Sequence, residues 1–293
     1  MKNILVIGSI NMDLVIHTPR LPKLGETLKG HSFMTACGGK GANQAIAVGK
    51  IYGSCTMIGA VGHDAFGKTM TDNLEANNVS TSGVSKIGEN SGIAMITVCE
   101  GDNHILLDGG ANDRLTPEWI DKHIELIQNA DIVIFQLEVP METVVYAAKK
   151  AKEFGAKVLL NPAPAAPLSD ELLSLTDILI PNEHEAEIIT GIHEPEEAIK
   201  VLMQKCNQVI ITLGEKGCIY NDGTEIKTSP AEKAKAVDTT AAGDSFIGAF
   251  CTALCEGKSL KDSIAFGAKV SAITVTRKGA AISIPTKEEL SSL

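Results

Sequence analysis

The residues with the clearest chemistry lie near the C-terminal end: Asp238-Thr239-Thr240-Ala241-Ala242-Gly243-Asp244, followed by Ser245-Phe246-Ile247-Gly248-Ala249-Phe250. The second half reads as a helix, because Ala249, Ala253 and Leu254 return to one face and no Pro interrupts them. The first half is a turn of small residues carrying two carboxylates. A turn of this kind leaves the N–H groups of Ala241, Ala242 and Gly243 without intrahelical partners. Those groups and the positive end of the helix dipole form an anion site. An acid in the first turn of that helix would repel a phosphate. It makes sense if Asp244 takes a proton from a hydroxyl that attacks the phosphate. An anion hole beside a carboxylate is the minimum apparatus for phosphoryl transfer to an alcohol. Alone, Asp244 could equally be an acid pairing with the helix dipole, and Gly243 a plain turn glycine.

Asp238 is too far along the chain to be the same catalytic group. It needs a counterion of its own, and no Lys or Arg lies between Asp238 and Gly243. A large monovalent cation held by oxygen atoms would neutralise it and fix the carbonyls around it. The alternative is that Asp238 only caps a turn.

A second group of polar residues sits near the N-terminus. Ile4-Leu5-Val6-Ile7-Gly8 reads as a strand buried on both faces. Asn11 and Asp13 follow at its C-terminal end, where ligands of open α/β sheets sit. They share a face if the chain stays extended, and both suit sugar hydroxyls. Loop-turn chemistry would explain them equally well. Gly38-Gly39-Lys40-Gly41-Ala42-Asn43-Gln44-Ala45 then opens a helix through about Lys50. It matches neither standard phosphate-loop pattern, and its glycines with Lys40 and Asn43 suit a small polyol as well as a phosphate. His63 reads as a surface turn residue.

The rest of the chain must position these groups. Residues 14–37, broken by Pro19, Pro22, Gly25 and Gly30, read as strands and turns. Ser91–Leu107 reads as a hairpin turning at Glu100-Gly101-Asp102-Asn103. These two β excursions, 14–37 and 89–108, are expected to form a small sheet inserted in a large domain of residues 1–13, 38–88 and 109–293. A strand at Thr56–Val61 is followed by a helix ending near Asn77. From Thr116 onward helices and strands alternate: helix 117–128, strand 131–137, helix 142–154, strand 157–160, helix 169–175, strand 178–180, helices 183–190 and 194–205, and strand 208–212. That rhythm predicts a doubly wound, mostly parallel sheet in a three-layer α/β fold. Glu138, Asn161, Asn182, Glu185 and the run Thr212–Gly217 stand just after strands, where a site belongs.

Composition narrows the function. The 293 residues carry a net charge of −10, which argues against nucleic acid and anionic membranes as partners. No apolar run approaches the ~20 residues of a membrane span. The seven Cys form no CxxC pair, so the chain reads as a cytoplasmic protein with free thiols.

Taken together, these residues closely resemble the ribokinase-type (phosphofructokinase-B) family of sugar kinases, essentially end to end. The motifs are Gly8–Asp13, Gly38–Ala45, Asn182-Glu183-His184-Glu185, Thr212–Gly217, Asp238–Asp244 and Thr276-Arg277-Lys278-Gly279-Ala280. Each is weak alone; six in order are specific. The resemblance implies ATP-dependent phosphorylation of D-ribose at its 5-hydroxyl. Asn11, Asp13, Gly39, Lys40, Asn43 and Glu138 would hold the sugar. Asp244 would be the base, with Ala241, Ala242 and Gly243 as the anion hole. Thr212, Gly214 and Gly217 would line the ATP site, with Lys269 near the adenine. Asn182 and Glu185 would act near Mg²⁺ and the phosphates. A K⁺ site would be formed by Asp238, Thr240 and Ser283 with carbonyls near Thr274, Arg277 and Gly279. The small sheet would be a lid clasped against that of a second subunit. A deoxyribose kinase, another sugar or nucleoside kinase and a non-catalytic sugar-binding protein are the alternatives.

Overall fold

The computed structural model describes residues 2–100 and 102–292. Gly101, in the expected hairpin turn, lies outside the described residues. The strands are β1 (Ile4–Ile7), β2 (Asn11–His17), β3 (His31–Gly38), β4 (Cys55–Val61), β5 (Val79–Lys86), β6 (Gly92–Cys99), β7 (Asp102–Asp108), β8 (Ile132–Phe135), β9 (Lys157–Leu160), β10 (Ile178–Leu179), β11 (Gln208–Thr212), β12 (Cys218–Asn221) and β13 (Ile226–Ser229). The helices are α1 (Lys40–Tyr52), α2 (Ala65–Ala76), α3 (Pro117–Asp121), α4 (Ile124–Gln128), α5 (Met141–Glu153), α6 (Asp170–Leu175), α7 (Glu183–Thr190), α8 (Pro195–Leu202), α9 (Ala242–Cys255), α10 (Leu260–Thr274) and α11 (Lys287–Ser291).

Among the described residues the strands form two sheets. The large one runs β13-β12-β11-β10-β9-β8-β1-β4-β5. It is parallel from β5 to β11, and β12 and β13 extend it antiparallel. Its central strands are short and apolar, because both faces are covered. Leu5, Ile7, Val133, Phe135, Val158 and Leu160 point to one face and pack against Val144, Ala147, Ala148 and Ala151 of α5. Ile4, Val6, Ile132, Ile134 and Leu159 point to the other, toward Ala45, Ile46, Ile247 and Phe250 of α1 and α9. The period-two alternation of the strands thus builds the three layers. No helix among the described residues is long and apolar enough to cross a membrane.

The small sheet runs β3-β2-β6-β7. Its first strand starts at Asn11, so Asn11 and Asp13 lie on a strand, paired with Gly38 and Ala36 of β3. The chain therefore passes from the large sheet to the small one within Gly8–Ile10.

Several elements differ from the sequence expectation. The helix expected over 117–128 breaks at Lys122-His123 into α3 and α4, where His123 adopts φ −124° and ψ 22°. Its ring meets the Ser85 hydroxyl at 3.0 Å, a tertiary contact that local periodicity does not encode. Strand β5 was not expected either; it is a polar edge, with Ser80 and Ser82 exposed. Strands β12 and β13 and helix α10 were likewise unassigned.

Helices α1 and α9 cross at Gly248. A Cβ there would lie 2.4 Å from the Cβ of Ala47, so only glycine permits this approach. The close crossing matters because the N-terminal turns of both helices carry the candidate site.

Candidate active site

Asp244 sits in the first turn of α9, only 8% exposed. The helix begins after Ala241, which holds a left-handed φ of 59°. That sharp entry aims the first amides outward. Of the three expected cradle donors, Ala242 N–H donates to the Thr239 carbonyl at 3.2 Å. It is therefore partly committed, unlike the sequence expectation. The amides of Ala241 and Gly243 have no protein acceptor among the described residues.

The Asp244 carboxylate is held from α1. Asn43 Nδ2 donates to its Oδ2 at 3.1 Å, and Gln44 Nε2 to its Oδ1 at 2.9 Å. Burial pushes the Asp244 carboxyl up, and Lys40, Gln44 and Asn43 partly counter that. The Asn43 Oδ1 atom is buried without a partner. It is an acceptor suited to a ligand hydroxyl.

Glu138, just after β8, joins the N-terminal motifs. Its Oε2 accepts from Ser9 Oγ at 2.6 Å, from the Lys40 amide at 3.0 Å and from Asn11 Nδ2 at 3.4 Å. Asn112 Nδ2 in turn donates to Asn11 Oδ1 at 2.7 Å. Gly39 caps α1 with φ 91°, and a Cβ there would come within 2.8 Å of the Asn11 amide. Asp13 stands alongside, close to Gly38. Burial pulls the Lys40 ammonium down, but Asp244, Glu138 and Glu185 outweigh it, so its pKa stands above the ordinary value. Lys40 is thus the one cation among four buried or half-buried carboxylates.

Two cavities meet at this turn. A cavity of about 590 Å³ is lined by Thr212, Gly214, Gly217, Ala231, Ala268 and Val275, among others, and is mostly apolar. A smaller one, of about 210 Å³, is lined by Lys40, Asn161, Asn182, Glu185 and Asp244. Thr212, Thr239, Ala242, Gly243 and Phe246 belong to both. Lys269 lies on α10 next to Ala268 but lines neither cavity. Asn11, Asp13, Gly39, Asn43 and Glu138 also lie outside both. Asn182 and Glu185 form a capping box for α7: each backbone N–H is bonded by the other's side chain, at 2.9 and 2.8 Å.

Of the expected cation residues, Asp238 meets Thr240 and Gly279. Asp238 Oδ1 accepts from the Thr240 amide at 2.9 Å and its hydroxyl at 2.6 Å. Its Oδ2 accepts from the Gly279 amide at 2.9 Å, which joins the two loops. Burial raises the Asp238 carboxyl, but these donors and Lys278 outweigh it and bring it below the usual range. Ser283 and Thr274 are buried nearby in sequence; the Ser283 hydroxyl donates to the Ala280 carbonyl and the Thr274 hydroxyl to Val270. The Thr274 carbonyl accepts from the Arg277 amide at 3.1 Å. An oxygen-only set with one carboxylate fits a large monovalent ion. Among the described residues, no group of three or more His, Cys, Asp or Glu could hold a metal.

Ser9, Gln44, Asn112 and Gln136 were not singled out from the sequence. Gln44 lay inside a motif that had been noticed for its glycines. Ser9 likewise lay inside the Gly8–Asp13 motif, whereas Asn112 and Gln136 are tied to the site through partners at least 92 residues away in the chain.

Burial raises the Asp13 carboxyl from 3.8 to about 7, and Glu138 and Asp244 add to the rise. Its folded value exceeds its unfolded one, so ionised Asp13 opposes folding. Near pH 3.8 and below, the cost is absent; it grows as pH rises and is complete above about 7. Asp13→Asn is therefore expected to stabilise the ligand-free protein above neutrality, by up to about 4 kcal/mol, with little gain at acid pH. Denaturant unfolding at the two pH extremes checks this. An equal effect at both would show that the gain does not come from the charge.

Comparison with known proteins gives the same site a context. The pattern of the pfkB family of carbohydrate kinases matches residues 1–287. A ribokinase from Schizosaccharomyces pombe is 44% identical, over 99% of this chain and 97% of its own length. A deoxyribokinase from Salmonella typhimurium is 38% identical, over 98% of this chain and 97% of its own. The structure of Arabidopsis thaliana ribokinase complexed with ribose and ATP superposes with a TM-score of 0.93 at 33% identity, covering 99% of this chain and 98% of that one. With these matches spanning the whole fold and all six motifs, the chain belongs to the pfkB family of carbohydrate kinases.

Proposed function

We propose that this chain transfers the γ-phosphoryl group of ATP to the 5-hydroxyl of D-ribose, giving ribose 5-phosphate and ADP. The observation that carries the reading is Asp244: a buried carboxylate, held by two amide donors, at the head of a helix where a larger apolar cavity meets a smaller polar one. The larger cavity suits an adenine nucleoside, with its phosphates toward Gly243. The sugar lies on the side of Asn11, Asp13, Asn43 and Glu138. Their acceptors and donors outnumber apolar groups, as a pentose with several hydroxyls requires. The sugar O–H breaks, its proton passes to Asp244, the oxygen bonds to phosphorus, and the bond to ADP breaks. The Ala241 and Gly243 amides meet the charge on the transferring group. Mg²⁺ carried by the nucleotide would neutralise charge on its phosphates. Asn182 and Glu185 line the cavity there and would hold its hydrated shell. Free thiols and an ATP requirement fit the reducing cytoplasm; cell fractionation checks that placement.

A second substrate, 2-deoxyribose, has one specific observation in its favour: the 38% identical relative named a deoxyribokinase. A panel of pentoses, hexoses and nucleosides with ATP, read by ADP release, separates the two. Asp244→Asn is expected to keep the fold and sugar binding while kcat falls ~10²–10⁴-fold. Near-normal turnover in a folded Asp244→Asn protein would remove Asp244 from the mechanism.

Activity should also depend on a monovalent cation that touches no substrate. Asp238 is the single carboxylate of the Asp238–Gly243 run, and its hydrogen bonds run to both Thr240 and Gly279. K⁺ among these oxygens would fix the turn that presents Ala241 and Gly243. Rates measured in potassium, sodium and choline chloride, at equal ionic strength and fixed Mg²⁺, should favour potassium. That preference should vanish in Asp238→Ala. Equal rates in all three salts would sink the idea.

The small sheet suggests a homodimer. Phe33, Met34, Met95, Ile105, Leu106 and Leu107 are exposed on it, and β7 is an edge strand. A second copy would cover the same patch symmetrically and pair its edges. Sedimentation should give twice the chain mass, and Leu106→Glu should shift it toward one chain. A wild-type protein that sediments as a single chain at high concentration rules the dimer out.

A further inference from the structure

Two glutamines that line neither cavity are fully buried behind the proposed base. Gln44 is on α1, and Gln136 follows β8; both have no exposed surface. Gln44 Nε2 spends both hydrogens, on Asp244 Oδ1 at 2.9 Å and on Asn161 Oδ1 at 3.1 Å. Its Oε1 accepts from Gln136 Nε2 at 2.6 Å. Asn161 Nδ2 donates to the Ile180 carbonyl at 3.0 Å, so its Oδ1 must face Gln44. The direction of the chain is forced at both ends. A carboxylate and a backbone carbonyl only accept, so the Gln44 nitrogen must face Asp244.

Gln136 reaches its position at a cost. Its Oε1 is buried without a partner. It also fills the place of a side chain on Gly8, where a Cβ would stand 1.9 Å from it. An orphaned buried acceptor is expensive. Turning the amide over would only set two oxygens against each other at Gln44. The strand, the glycine and the orphan oxygen therefore all serve one donor.

We infer that Gln136 and Gln44 are positioning residues that orient the Asp244 carboxylate and hold it in the acceptor form for the proton of the sugar hydroxyl. A proton on Oδ1 would confront the Gln44 N–H. A proton on Oδ2 would likewise confront the Asn43 N–H, 3.1 Å away. Donation to Oδ1 also favours the ionised base against its burial. This rests on the reading of Asp244 as the base. The charged groups around it are Asp13 on β2, Lys40 on α1, Glu138 after β8 and Glu185 on α7. None of them is altered by the substitutions below.

The test uses the full-length chain with Gln44→Met or Gln136→Met, both close in volume to glutamine. Both glutamines are fully buried and present no surface to a substrate, so KM for ribose and ATP should stay within about twofold. With one charge-assisted hydrogen bond lost, kcat should fall about tenfold, and the acid limb of its pH profile should move up by about one pH unit. Gln136→Met should shift the limb in the same direction and by less, because Gln44 then keeps its donation to Asp244 and loses only the donor to its own oxygen. A packing role alone would lower the melting temperature and leave the limb in place. A folded Gln44→Met protein with the wild-type acid limb overturns the inference. Should Gln44→Met fail to bind ribose by calorimetry, Gln136→Met decides, and an unmoved limb there overturns it equally. Active Asp244→Asn would instead defeat the reading of the base. Inactive Asp244→Asn beside unshifted glutamine variants defeats this inference alone.

Discussion

The site depends on one interaction: a carboxylate taken out of water and held by two side-chain amides across a helix crossing. An isolated buried carboxylate would simply protonate. Asn43 and Gln44 reach Asp244 because α1 and α9 touch at Gly248 and Ala47. A side chain at Gly248 would part the helices and stretch both bonds at once. The same α1 turn brings the Lys40 backbone onto Glu138, which also holds Ser9 and Asn11. One glycine contact in the apolar layer thus sets distances in the polar one.

The electrostatics around that carboxylate are unbalanced in the ligand-free state. Asp13, Glu138, Glu185 and Asp244 surround a single ammonium, Lys40. Burial raises the Asp13 and Asp244 carboxyls, the neighbouring carboxylates add to that rise, and the same carboxylates hold Lys40 above its ordinary value. Such stored repulsion weakens the empty protein. Sugar hydroxyls would relieve it, since they donate to carboxylates and replace the lost water. An active site that is costly when empty and settled when filled converts fold stability into binding.

Much of this was legible in the sequence, for a physical reason. Buried parallel strands must be apolar on both faces, so Ile4–Ile7, Ile132–Phe135 and Gln208–Thr212 announce themselves. Small residues before a helix announce an anion site, as at Ala241–Gly243. Edge strands such as Val79–Lys86 are polar and short of signal, because solvent covers one side. The break in the helix at His123 comes from a contact with Ser85, 38 residues away. Lys269 stood in a region that the resemblance alone set near the adenine. The fold instead turns its neighbours Ala268 and Ser271 toward the cavity. Gln136 carried no pattern at all; only the pairing of β1 with β8 sets it beside Gly8.

The choice of amides beside Asp244 has its own logic. A Lys or Arg in direct contact would hold the carboxylate far below the ordinary range and leave it too weak to take a proton. A wholly apolar pocket would raise it until it stayed protonated. Neutral N–H donors fall between these limits: they favour the ionised form without supplying a full charge. They are also directional, so they fix the plane of the carboxylate while its oxygens keep further lone pairs for a proton, which a point charge cannot do. Lys40 is near enough to pull the carboxyl down, yet forms no ion pair with it among the described residues. Its charge therefore remains available to an incoming phosphate, while the amides alone orient the base.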